Sequence, residues 1–193
     1  VKQIWLFALL AGLAMGACSS INIQTGPPTD EEFTARSDTQ ARQFKTEWYT
    51  KLDQANSTGK LGLMNELINQ TVAGYIKYGR SVAGTWQQAN RERGTAVHAS
   101  EILKMVEQST ATDQPMIQAH TDVVEFGISE IINTGNFEQP LNDTLNSYRE
   151  FFNEVYNGVF LPNGAVEDYI ETLDRLEQRQ AAFYEQLVEE TRR

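Results

Sequence analysis

From residue 29 onward the apolar residues recur at steps of three and four, and no stretch alternates apolar and polar residues over the length of a strand. Thr29-Asp30-Glu31-Glu32 has the spacing of a capping box, in which the Thr hydroxyl and the Glu carboxylate satisfy free N–H groups of a first turn. A helix is predicted there, with Phe33, Ala41, Phe44, Trp48, Leu52 and Ala55 on one face and Asn56-Ser57-Thr58-Gly59 as its stop. The second helix is the longest, with a seam of Leu61, Met64, Ile68, Thr71, Tyr75, Tyr78, Val82, Trp86 and Ala89. Gly74, Gly79 and Gly84 interrupt it, each costing about 1 kcal/mol relative to Ala. They fit either close approach of a neighbouring helix or a kink.

Arg93-Gly94-Thr95 predicts a joint, followed by a short amphipathic helix through Ala99, Ile102, Met105 and Val106. Thr112-Asp113-Gln114-Pro115 predicts the next start, since proline in a first turn gives up only an N–H that has no helical partner. Ile117, His120, Val123, Val124, Gly127, Ile131 and Ile132 carry that helix to a stop at Asn133-Thr134-Gly135-Asn136. A further helix spans 141–160, Leu161-Pro162-Asn163-Gly164 is a turn, and the last helix runs through Val166, Tyr169, Leu173, Leu176, Gln180, Phe183 and Leu187. The pattern predicts an all-α fold, an antiparallel bundle of five or six helices joined by short loops.

The N-terminal segment is of another kind. Lys2 is followed by an apolar run over 4–15, then Gly16, Ala17 and Cys18, the only cysteine of the chain. The run is as long as a signal-peptide core of about 7–15 residues and shorter than the roughly 20 of a membrane span. Met15-Gly16-Ala17-Cys18 resembles the lipobox of bacterial lipoproteins, with Met15 where that class usually carries Leu. The resemblance implies cleavage before Cys18 and acyl chains, palmitate among them, on that cysteine. It divides the chain into a signal peptide at 1–17, a lipidated cysteine and flexible tether at 18–28, and a single helical domain at 29–193. In this class Asp directly after the cysteine favours the inner membrane; Ser19 and Ser20 stand there instead, which implies the outer membrane, facing the periplasm.

Sixteen Lys and Arg against twenty-six Asp and Glu give a formal net charge of −10 at pH 7. Such a balance argues against nucleic acid, whose recognition begins with a basic face, and against anionic headgroups. Between Lys104 and Arg149 there is no Lys or Arg, while Glu107, Asp113, Asp122, Glu125, Glu130, Glu138 and Asp143 all fall there. This stretch reads either as a solvated face or as a docking surface for a basic partner or a weakly held divalent cation. Its carboxylates are too scattered for a calcium loop.

Motifs for chemistry are sparse. No glycine-rich phosphate loop, Cys/His metal spacing or H-E-x-x-H signature occurs. His98 and Glu101 stand in the reverse of the Glu-x-x-His order of di-iron bundles, and His120 and Glu125 do not supply a second pair. Gly62-Leu63-Met64-Asn65 resembles a lytic-transglycosylase motif, but Glu47 upstream is followed by Trp48 rather than the Ser of that family. The expectation is a protein without catalytic residues, metal or cofactor. Phe151, Phe152, Val155, Tyr156, Val159, Phe160 and Leu161 cover more than one face of their helix. Either that helix is central, or Phe151, Tyr156, Phe160 and Leu161 meet a partner. The reading is an outer-membrane lipoprotein whose helical domain is a non-enzymatic adaptor for another envelope protein. A periplasmic carrier of a small apolar ligand is the alternative, and a cell-wall hydrolase the third.

Overall fold

The computed structural model describes residues 30–135 and 138–191, which form six helices with no strand among them. They are α1 (Asp30–Gln54), α2 (Ser57–Arg93), α3 (Ala99–Thr110), α4 (Gln114–Thr134), α5 (Gln139–Phe160) and α6 (Val166–Thr191). The all-α bundle follows the predicted order of helices. The lipobox, Cys18, the tether and Thr29 lie outside the described residues.

The joints are built by short polar devices. Asn56 caps α2 by accepting the Gly59 N–H at 2.8 Å. Gly94 ends α2 in the left-handed region at φ 67°, where its N–H returns to the Asn90 carbonyl at 3.0 Å. The segment after it is clipped back onto α2: Asn90 Oδ1 accepts the Val97 N–H at 2.7 Å, and Trp86 Nε1 donates to the Val97 carbonyl at 2.9 Å. Pro115 and Pro140 occupy the first turns of α4 and α5.

α2 runs unbroken through Gly74, Gly79 and Gly84, so no break interrupts the helix. Gly79 is the close approach: a Cβ there would lie 2.7 Å from Leu173 Cδ2 and 3.1 Å from the Tyr169 hydroxyl of α6. Gly84 faces open space and answers to neither reading. Gly127 lets α4 settle on α2, since a Cβ there would overlap the Met64 sulfur.

Residue pairings give the orientations. Asn69 with Gln180, Gly79 with Leu173 and Trp86 with Tyr169 set α6 antiparallel to α2. Lys60 with Glu130 and Tyr75 with His120 set α4 antiparallel to α2. Tyr148 with Phe183 and Gly158 with Leu176 do the same for α5 and α6. α2 and α5 are therefore parallel and adjacent, with α4 touching both on one side and α6 touching both on the other. α1 lies outside this four-helix unit, chiefly on α4. Phe44 with His120, Lys45 with Asp122 and Tyr49 with Phe126 make that pair parallel. The hairpin turn into α2 leaves α1 no other direction, because α4 also opposes α2.

The interior is filled by Trp86, Tyr148, Phe151, Phe152, Ile68, Ile128, Ile131, Leu145 and Leu173, all essentially without solvent exposure. Each large apolar side chain buried in this way contributes about 1.5–3 kcal/mol. Gln180 is the polar pin of the α2–α6 seam, its Nε2 donating to the Asn69 carbonyl at 2.9 Å and to Asn69 Oδ1 at 2.7 Å.

Candidate functional site

Of the side chains read from the sequence as a partner surface, the fold hides two. Phe151 is fully buried against Phe183 at 5.1 Å, under the Arg179 guanidinium. Phe160 is buried between Tyr75 at 5.0 Å and Tyr78 at 5.5 Å. Both are core residues and offer no surface. α5 carries so many rings because it touches α2, α4 and α6, so apolar residues are needed around most of its circumference. Tyr156 is half-buried on Phe160, and Leu161, 48% exposed just past the helix end, is the member of the four that faces water.

The acidic stretch without Lys or Arg is answered in part by cations from elsewhere in the chain. Lys45 pairs with Asp122 at 2.7 Å, Lys60 with Glu130 at 2.9 Å and Arg149 with Glu125 at 3.7 Å. Three of its seven carboxylates thus fasten α1, α2 and α5 to α4 rather than forming an open acidic face. The Lys45 ammonium holds the Asp122 carboxyl below its ordinary range, while burial pushes the Asp113 carboxyl up. The described residues contain no group of three or more His, Cys, Asp and Glu placed to hold a metal ion.

The two histidines stand apart in character. His98 is exposed at the start of α3, and Glu101 beside it is engaged by Arg93 at 2.8 Å. His120 faces inward from α4, with the Phe44 ring of α1 at 4.5 Å and the Tyr75 ring of α2 edge-on at 6.2 Å. Its Nδ1 and the Tyr75 hydroxyl are buried without a hydrogen-bond partner among the described residues. Burial pushes the imidazole down to about 4, opposed by the Met116 backbone carbonyl one turn earlier, and pushes the Tyr75 phenol up. Burial thus favours the neutral imidazole, which packs against these rings and is only partly exposed.

Among the described residues, a modest groove and an aromatic edge lie on the same pair of helices. The groove, about 260 Å³, runs between α1 and α4 and is lined by Asp38, Arg42, Lys45, Gln118 and Asp122 with Ala41, Pro115 and Ala119. It is smaller and more charged than the usual ligand pocket of about 300–1,000 Å³. Further along the same seam Phe126, 43% exposed, lies 4.7 Å from the half-buried Tyr49. The sequence pattern passes over both residues because each sits one step off the buried seam of its helix. The fold and this surface define a closed helical bundle with a mixed polar and aromatic α1–α4 edge. Comparison with protein-family models, curated proteins and solved structures gives no match.

Proposed function

We propose that the chain is a lipid-anchored protein of the bacterial envelope, held through Cys18 at the periplasmic face of the outer membrane. Its helical domain binds another envelope protein without catalysing a reaction. The observation that carries the anchor is Met15-Gly16-Ala17-Cys18 directly behind an apolar run of signal-peptide length. A single acyl chain holds a protein to a membrane only marginally, so the several chains of the lipoprotein class are what would make the attachment durable.

The filled interior supports a binding surface over a carrier. Rings that would line a ligand chamber close on one another, Tyr75 on Phe160 at 5.0 Å and Tyr148 on Phe183 at 5.2 Å. The groove between α1 and α4 is too charged to suit an apolar ligand. His98 in solvent and His120 among rings do not form a catalytic pair, which supports the non-enzymatic reading. A net charge of −10 suits a partner with a basic face.

The test is Cys18→Ser in cells fed labelled palmitate. The variant should lose the label and leave the outer-membrane fraction; a variant that keeps both would refute the anchor. Crosslinking from position 126 in the same cells should trap a defined envelope protein, and a domain that crosslinks only to lipid or to nothing would refute the adaptor.

A further inference from the structure

The described residues hold two Asn-Gly pairs, Asn157-Gly158 and Asn163-Gly164, and the fold places them in opposite situations. Glycine is the follower that least hinders attack of its own backbone nitrogen on the preceding side-chain amide, because it has no Cβ and its dihedrals range freely. Asn157-Gly158 lies inside α5. The Asn157 carbonyl accepts the Leu161 N–H at 3.1 Å, and a Cβ at Gly158 would lie 2.9 Å from Leu176 Cδ1. That pair is gripped by helical backbone on one side and by α6 on the other.

Asn163-Gly164 lies in the loop between α5 and α6, with both residues exposed. Gly164 adopts φ 72°, and among the described residues neither the Asn163 amide nor the Gly164 N–H is tied by a hydrogen bond. The nucleophile and the amide it would attack are therefore both unengaged, in a segment without the helical ladder that restrains Asn157.

We propose that Asn163 is a site of spontaneous, structure-gated deamidation, with the Gly164 nitrogen as nucleophile and water as co-reactant. The Gly164 nitrogen bonds to Asn163 Cγ and gives up its proton. The bond from Cγ to the side-chain nitrogen breaks, and that nitrogen leaves with the proton as ammonia, closing a five-membered succinimide. Water then adds to one of the two ring carbonyls. Opening one way gives aspartate; opening the other gives isoaspartate, in which the main chain passes through the side-chain carbons. Nothing is oxidised or reduced.

The surroundings give the change a consequence. Asp168 Oδ2 accepts the Ala165 N–H at 2.9 Å at the head of α6 and would lie 2.7 Å from a Cβ on Gly164. A neutral amide becomes a carboxylate two residues before the Ala165 N–H that Asp168 holds, and the isoaspartate form also lengthens the turn.

The experiment is peptide mapping of the full chain, resolving aspartyl from isoaspartyl products, after incubation at mildly alkaline pH with and without concentrated urea. In the folded chain Asn163 should convert at least about tenfold faster than Asn157, whose glycine nitrogen is freed only by local opening of α5. In urea the two should convert at comparable rates. Asn163→Gln should remove the folded-state product, and Asn157→Gln should leave it. Equal rates in the folded chain would overturn the proposal, as would an Asn163 that converts in urea and stays intact when folded.

Discussion

Acidification should loosen the bundle through His120. The ring is packed between Phe44 of α1 and Tyr75 of α2, and the Met116 carbonyl offsets its burial only in part. Its pKa falls from 6.5 to about 4 in the folded chain. The unfolded chain therefore takes up a proton that the folded chain refuses. Stability is lost as pH drops below about 6.5 and the loss is complete below about 4, a displacement worth about 3 kcal/mol. That is a large share of the roughly 5–15 kcal/mol that holds a domain folded. Lys45 of α1 and Asp122 of α4 are occupied with each other at 2.7 Å. The Tyr75 phenol is held protonated by burial and offers no negative charge to the ring. The assay is urea unfolding across this range for the natural chain and for His120→Phe, which keeps a ring and removes the proton site. Asp122, which loses its contribution as pH falls, and Asp113, which shifts the opposite way, are common to both proteins and cancel in the difference. The gap in unfolding free energy should move in favour of the variant by about 3 kcal/mol between neutral pH and pH 4. Parallel curves would refute the assignment.

Gly127→Ala should cost about 1–3 kcal/mol by forcing Met64 aside. Gly84→Ala, in open space on α2, should instead stabilise by up to about 1 kcal/mol. Denaturation midpoints moving in the same direction for both would count against this account of the glycines. Phe160→Ser should cost about 3–5 kcal/mol, while Leu161→Ser next to it should change stability by no more than about 0.5 kcal/mol. Calorimetry of the two variants side by side checks the boundary between core and surface at the end of α5.

The helices were legible because their apolar seams and stops are local. Leu61 through Trp86 step by three and four, Gly94 and Gly164 take the positive φ that turns require, and Pro115 sits in a first turn. What was not legible depends on pairs far apart in the chain. Lys45 finds Asp122 and Lys60 finds Glu130 across intervals of 77 and 70 residues. An acidic run without Lys or Arg therefore gives no sign that its charges are answered elsewhere. The ring excess of α5 marked that helix as unusual, but an amphipathic pattern cannot distinguish three buried sides from one buried side and one exposed. The parallel packing of α1 on α4 has the same origin, since it joins helices that are not consecutive and no loop signals it. The aromatic edge was missed for a simpler reason: an exposed Phe126 and a half-buried Tyr49 look like ordinary members of amphipathic helices until the two meet.

α1 bears most directly on the proposed anchor, because it is the first helix of the domain and stands nearest in the chain to Cys18. It packs on the outer side of the unit formed by α2, α4, α5 and α6, chiefly against α4. Its seat on α4 mixes one fully buried leucine, Leu52, and the small Ala41 with the ion pair of Lys45 and the rings of Phe44 and Tyr49. An exposed or half-exposed ion pair adds at most about 1 kcal/mol, so the apolar contacts must do most of the holding. His120 lies under Phe44 at that seat, and a proton there would place a charge directly against the ring that α1 contributes. His120 is thus set at the junction between α1, the helix nearest the proposed anchor, and the rest of the bundle. Loss of stability on acidification should begin with α1 and leave the four-helix unit for last.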